Sequence, residues 1–338
     1  MPRVSILIPS YNHARFLDAC LKGIQNQTFE DWEIILVDDG SKDDSVEMAR
    51  EFATREPRLK VFVNEQNLGT YGTEQRALEM SSSEFVAILN SDDLWAPNKL
   101  ELQVKALDAQ PDVPLAYVLG WKVNDLGVVD ESEDVHLDWP TTERQEILPY
   151  LLYENRVLAS GVLFRREGLR FNTSCRYSGD WVALLDRAVH SPVACVPERL
   201  NFWRMHDNNS FVFSVKQILE EIRVRDAIMR NASRWYQPRL DRRAVSLGLA
   251  KNAMNQFALY IYCKETRKAR QVMFHALAYH ANKKSTLKRA LSTFLPADYI
   301  RNYFWHLDVD DVLSLDLEAL RAGLKANPPL LWQDEIPS

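Results

Sequence analysis

Glu33-Ile34-Ile35-Leu36-Val37-Asp38-Asp39-Gly40-Ser41 is a short apolar run cut off by two carboxylates, a glycine and a serine. A run of this length without polar alternation reads as a strand buried on both faces, the mark of a parallel sheet. The same pattern recurs on either side of it. Val4 to Ile8 is apolar and stops at Pro9, Leu59 to Val63 is a third run, and Phe85-Val86-Ala87-Ile88-Leu89 is a fourth, ended by Asn90-Ser91-Asp92-Asp93. Residues 13–26, 44–55, 71–81 and 98–109 place apolar side chains at helical spacing after each strand. Strand and helix thus alternate through the first 110 residues, which predicts an α/β fold with a doubly wound, mostly parallel sheet and helices on both faces. Such sheets bind ligands at the carboxyl ends of their strands. Ser10-Tyr11-Asn12, Asp38-Asp39 and Asn90 to Asp93 are therefore expected on one rim.

Beyond residue 112 the pattern breaks into shorter strand-like pieces, Leu115 to Leu119, Gly161 to Arg165 and Val193 to Val196, with helical stretches near 143–154 and 180–190. From 215 onward the spacing is helical, in segments 215–232, 241–262, 266–281, 285–294 and 309–325. This predicts an α/β domain over 1–212 and an α-helical C-terminal domain over 213–338. With 46% apolar and 26% charged residues the chain of 338 has an ordinary globular composition, and its formal charge of -6 argues against a general nucleic-acid binder. Met1-Pro2-Arg3 runs straight into a strand with no cleavage site, and no apolar run approaches the ~18 residues of a membrane span. The expectation is a cytoplasmic protein. The four cysteines are widely spaced, with no CxxC pair, and read as reduced thiols.

The rim clusters suggest chemistry. Asp38 and Asp39 can accept hydrogen bonds from a nucleobase N–H and ribose hydroxyls; the other reading of this segment is Ser41 or Asp43 capping the next helix. Carboxylates clustered at Asn90 to Asp93 are costly unless solvated or bound to a cation. Oxygen ligands there suit Mg2+ or Mn2+, which would bridge a diphosphate; the alternative is a turn with Asp92 or Asp93 capping the helix that follows. No G-x-G-x-x-G follows the first strand and no G-x-x-x-x-G-K-[ST] occurs anywhere, against a dinucleotide-dependent oxidoreductase or a P-loop enzyme.

The run from Val4 to Asn12, Gln27-Thr28-Phe29, Trp32 through Ser41, Asn67-Leu68-Gly69, Leu89 through Pro97, Ser178-Gly179-Asp180-Trp181 and Trp203-Arg204-Met205-His206 through Ser210 resembles family 2 of the inverting glycosyltransferases. The resemblance covers roughly residues 1–212, with the motifs in order. It implies the GT-A fold, a nucleotide-binding half over 1–110 and an acceptor half over 111–212. It further implies that Pro9 and Tyr11 flank the base and that Asp39, with Asp38 beside it, accepts from a uracil-type N–H. Asn90, Ser91 and Asp93 would meet the donor. Asp92 would ligate the metal, Asp180 would act as general base, and Arg204, His206 and Ser210 would close over the diphosphate, His206 as a second metal ligand. On its own residues, Asp180 reads first as part of a helix cap, and only the resemblance turns that reading toward a base. Two departures stand out: Asn90 replaces the first carboxylate of an Asp-x-Asp, and Thr73-Glu74-Gln75 replaces Ala-Arg-Asn ahead of Arg76, which is placed among the donor contacts.

The resemblance implies a transferase that moves a sugar from a nucleotide diphosphate donor, UDP-linked first, to a glycan or lipid-linked glycan. It would act in bacterial surface polysaccharide synthesis, at the inner face of the cell membrane. A non-catalytic nucleotide-sugar or glycan-binding relative is the alternative, on the strength of Asn90 and Glu74. Between Lys264 and Arg289 there are eight Lys/Arg against Glu265 alone, followed by Tyr299, Tyr303, Phe304 and Trp305. Residues 264–305 are therefore read either as a solvated helix face or as a peripheral membrane contact. An amphipathic helix such as 241–262 could support a homodimer.

Overall fold

A computed structural model describes residues 1–132, 134–137, 139–207, 209, 215–235, 242–262, 265–277 and 291. The strands are β1 (Val4–Ser10), β2 (Trp32–Asp38), β3 (Leu59–Val63), β4 (Phe85–Ile88), β5 (Leu94–Trp95), β6 (Leu115–Val123), β7 (Val129–Asp130), β8 (Arg144–Gln145), β9 (Val162–Arg165) and β10 (Val193–Arg204). The helices are α1 (Ala14–Gln25), α2 (Ser45–Arg55), α3 (Gly69–Met80), α4 (Lys99–Ala109), α5 (Leu148–Tyr153), α6 (Gly179–Ala188), α7 (Val215–Trp235), α8 (Arg242–Tyr262) and α9 (Thr266–Ala276).

The sheet runs β3-β2-β1-β4-β9-β6-β10-β5, with β7 on β6 and β8 on β10. β3, β2, β1 and β4 are mutually parallel, β9 is antiparallel to both β4 and β6, and β10 is parallel to β6. Two reversals across β9 leave β6 and β10 pointing the same way as β4. The carboxyl ends of β1, β2, β4 and β10 therefore share one rim, and the amino end of β9 comes up beside them. Strand order turns back between β1 and β4, where a crevice opens in such sheets.

The buried runs form strands because both faces are covered. Val4, Ile6, Ile8, Ile34 and Leu36 pack with α1, α2 and α4 through Leu17, Ile24, Phe52, Leu100 and Val104. The alternate residues Leu7, Ile35 and Val37 point to the other face, where α3 packs on β1 and β2. Strand β10 is longer than its apolar start suggests. It continues past the exposed Pro197 and Glu198 through two register shifts against β6, and so delivers Arg204 to the rim.

The chain divides into two compact units, one of residues 1–147 and 156–209, the other of residues 148–155 and 210–338. The second unit takes in α5, which lies inside the stretch expected to be the acceptor half. Arg225 of α7 is the physical reason: its buried guanidinium donates to the carbonyls of Leu152 (2.7 Å) and Tyr153 (3.2 Å) at the end of α5 and pairs with Glu221. In the same unit α9 lays Ala269, Met273 and Ala276 against α8 and exposes Arg267 and Lys268. The remaining basic and aromatic positions of 278–305, the helices expected over 285–294 and 309–325, and Ser210 lie outside the described residues. Among the described residues no helix is long and apolar enough to cross a membrane.

Candidate active site

The loop after β1 is built by Asn12, whose φ of 55° is left-handed. Asparagine tolerates that region better than other non-glycine residues because its side chain bonds locally. Here Asn12 Oδ1 accepts from Lys42 N (2.7 Å) and Asn12 N donates to Ser41 Oγ (2.8 Å), tying the β1 and β2 loops together. Tyr11 stands 45% exposed beside buried Pro9 and Ser10, an aromatic face open on the rim.

The two carboxylates after β2 have different jobs. Asp38 is fully buried and accepts from Gly40 N (3.1 Å), Ser41 N (2.8 Å) and Ser41 Oγ (2.6 Å). It organises the turn. Asp39 Oδ1 accepts from Asn64 Nδ2 and Leu68 N, both at 2.7 Å, and Oδ2 accepts from Gly69 N at 2.9 Å. A carboxylate offers about four acceptor positions, so Oδ2 retains room for one more donor. Gly69 can donate there because its φ of +74° suits glycine, and because the Arg176 guanidinium occupies the space of a β-carbon. Arg76 does not reach the rim directly. It donates to Val63 O and Asn64 Oδ1, and Asn64 in turn holds Asp39, so Arg76 acts on the site through its neighbour.

The loop after β4 is the centre of the site. Asp92 Oδ2 lies 3.0 Å from His206 Nε2, and His13 completes a group whose ligand atoms all fall within 4.8 Å of one another. Ser91, buried, meets His13 Nδ1 through Oγ at 2.8 Å. With Nδ1–H donating to Ser91, Nε2 of His13 carries the lone pair. Burial pulls the His13 pKa down, against the pull of Asp92, so the ring is held as the neutral form that binds metals. Phe16 stacks on His206 at 4.6 Å between centroids. The His206 loop is closed by Asn209, which accepts from His206 N and donates to Arg204 O (2.9 Å).

Asp93 faces inward. It accepts from Ser160 Oγ (2.5 Å) at the head of β9 and from Arg204 N (2.9 Å) at the end of β10. Burial and the Asp92 charge push its pKa up, opposed by those two donors. Asp93 thus clamps three strands together and does not present itself to a donor. Arg204 behaves similarly. It is 4% exposed and gives Nε to Asp92 O (2.7 Å) and Nη1 to Asp125 O (2.7 Å), so its guanidinium fixes the loop carbonyls. Its charge still lies beside the carboxylate pair, which it helps to neutralise. Asn90 donates its backbone N–H to Ser160 Oγ (3.0 Å) and is half-buried at the rim.

Asp180 is the second residue of α6, half-buried, and accepts from Tyr71 Oη at 3.1 Å. The helix boundary residue is Ser178, so Asp180 itself is not the cap. A carboxylate in the first turn is favoured by the helix dipole. The missed member of the set is His13. The pairing of β1 with β4, Leu7 opposite Ile88, sets the loops after these strands side by side and would have pointed to it.

The pattern of Glycosyl transferase family 2 matches residues 5–164. Over 104 residues the chain is 38% identical to the Escherichia coli UDP-Glc:alpha-D-GlcNAc-diphosphoundecaprenol beta-1,3-glucosyltransferase WfgD, a match covering 31% of this chain and 40% of that protein. It spans 32% and 59% of the lengths of two further relatives. Among solved structures, S. aureus TarS 1–349 in complex with UDP-GlcNAc superposes with a TM-score of 0.64 at 18% identity, covering 95% of this chain and 92% of the other. The mannosyltransferase PcManGT from Pyrobaculum calidifontis, in complex with GDP-Man and Mn2+, gives 0.59 at 17% identity, covering 96% and 87%. At these identities the structures share the GT-A fold. Over residues 5–164, a little under half of its length, the chain carries the pattern of glycosyl transferase family 2.

Proposed function

We propose that the chain is an inverting glycosyltransferase that takes a sugar from a nucleoside diphosphate donor, a UDP-sugar first, and passes it to a hydroxyl of a glycan or lipid-linked glycan. The observation that carries this reading is the convergence of His13, Asp92 and His206 where strand order turns back between β1 and β4. Two imidazoles and one carboxylate form a donor set richer in nitrogen than Mg2+ prefers, which favours Mn2+ as the ion. When bound, the ion neutralises charge on the donor diphosphate and so stabilises it as a leaving group. The Mn2+ complex of PcManGT, the UDP-GlcNAc complex of TarS and the lipid-diphosphate acceptor in the name of WfgD support the same direction.

The protein's own residues do the rest. Asp39 Oδ2 accepts from the base, and Tyr11 offers it an aromatic face. Asn90 meets the ribose. Asp180 takes the proton of the acceptor hydroxyl as that oxygen attacks the anomeric carbon from the side opposite the diphosphate. The new C–O bond forms as the bond to the diphosphate breaks, the electron pair leaves with UDP, and an α-linked donor gives a β-linked product. In this reading residues 1–110 bind nucleotide, 111–212 bind acceptor, and the reaction serves surface polysaccharide synthesis on the cytoplasmic side of the membrane.

The test is UDP release from UDP-glucose and UDP-GlcNAc with Mn2+. Asp180→Asn should lower turnover about 10²–10⁴-fold while UDP affinity stays at the wild-type value. Wild-type turnover in that variant would remove Asp180 as the base.

A further inference from the structure

Behind Asp180 lies a second carboxyl that the transfer reaction does not use. Glu74, on α3, is 1% exposed, and its Oε2 meets no hydrogen-bond partner. One helical turn earlier, Tyr71 is 8% exposed, and its hydroxyl donates to Asp180 Oδ1 at 3.1 Å. The two helices interlock at this point. A β-carbon on Gly179 would fall 2.4 Å from the Tyr71 ring, so the ring fills the space that glycine leaves at the first residue of α6. The titratable and charged groups around the contact are Tyr71 and Glu74 from α3, Asp180 from α6 and Arg176 from the preceding loop, whose guanidinium sits against Gly69.

Two neighbouring carboxyls, one of them fully buried, cannot both carry charge cheaply. The charge is better placed on Asp180, which is half-buried, sits in the first turn of α6 and receives the Tyr71 hydroxyl. Glu74 has none of these. Burial first, then the Asp180 charge, push its pKa well above the usual carboxylate range.

We propose that Tyr71 and Glu74 are positioning residues for Asp180: Glu74 stays a neutral carboxylic acid wedged against α6, Tyr71 fixes the Asp180 carboxylate, and the contact carries a single negative charge, on Asp180. The proposal rests on Asp180 being the general base. Glu74 supports that base as a neutral polar wedge, so a neutral isostere can do its work and a truncation cannot.

The test uses the full chain, Mn2+ and UDP-glucose, with UDP release as the readout, together with carboxyl carbon NMR of the uniformly 13C-labelled protein. A carboxyl signal in the protonated range at pH 7, separate from the one the raised pKa of Asp93 gives, should vanish in Glu74→Gln. Tyr71→Phe should lower kcat about tenfold with KM unchanged, the loss expected for one hydrogen bond to a charged group. Glu74→Ala should fall by a similar factor, and Glu74→Gln should restore most of it. A carboxyl signal showing Glu74 ionised at pH 7, or a Glu74→Gln variant as impaired as Glu74→Ala, overturns the proposal. If Asp180→Asn keeps wild-type turnover while the neutral Glu74 signal is present, the base assignment fails and the buried pair stands.

Discussion

Ser91 is the most informative residue to remove, because it touches no ligand in this account and yet sets one. Its buried Oγ lies 2.8 Å from His13 Nδ1. Its ring contacts with Phe16 at 6.0 Å and His206 at 5.6 Å are edge contacts, which resist rotation far less than a hydrogen bond does. In Ser91→Ala the imidazole is free to turn, and Nε2 is no longer aimed at Asp92 and His206. Loss of such an outer partner of a metal-bound histidine costs about 10–100-fold in metal affinity, or about 1.4–2.7 kcal/mol. The metal-free protein loses one partly buried hydrogen bond, about 1 kcal/mol, and its Tm should drop by only about 2–4 °C. Calorimetric titration of Mn2+ into protein saturated with UDP reads the effect directly. A variant that binds Mn2+ within twofold of wild type would remove His13 from the metal site and leave Asp92 and His206 as the protein's ligands.

Other consequences follow from the same contacts. Ser160→Ala strips Asp93 of one donor and Asn90 N–H of its acceptor in a fully buried place, which should cost about 2–4 kcal/mol in urea unfolding; a loss below about 0.5 kcal/mol would mean the three-strand clamp is not formed. Hydrogen bonds from Arg58 first of all, and then from Gln25, hold the Glu56 pKa down from 4.5 to about 2. Its stabilising contribution is therefore complete above the unfolded-state value and is lost as pH falls through about 2. Wild type should exceed Glu56→Gln by about 1–3 kcal/mol at pH 7, and the gap should narrow steadily between pH 4.5 and 2; a gap independent of pH would contradict the pairing.

The fold was legible because four short, mostly apolar runs alternate with helical spacing and are closed by polar residues or proline; the third, with exposed Lys60, is the half-covered edge strand β3. β10 was half hidden, since Pro197 and Glu198 look like an end and are in fact the exposed crest of a bulge. Side-chain direction was the other limit. Asp38 closes a strand whose successive residues face opposite ways, so it and Asp39 were never equivalent, and the alternation alone could have separated them. Asp93 and Arg204 read as charges on a ligand, yet in space they hold three strand ends together. Composition cannot show which way a charge points. Asp92 and His206, 114 positions apart, came together only through the family resemblance, and His13 was recoverable only from the β1–β4 pairing.

In the proposed reaction His13, Asp92 and His206 hold an ion against the diphosphate of a nucleotide. Pulsed electron paramagnetic resonance of Mn2+ with the protein and UDP tests it in one spectrum. 14N couplings from two imidazoles are expected together with 31P couplings from the diphosphate, with one imidazole coupling lost in His13→Ala. A spectrum of fully hydrated Mn2+, with neither nitrogen nor phosphorus coupled to it, would remove the three residues as a metal site.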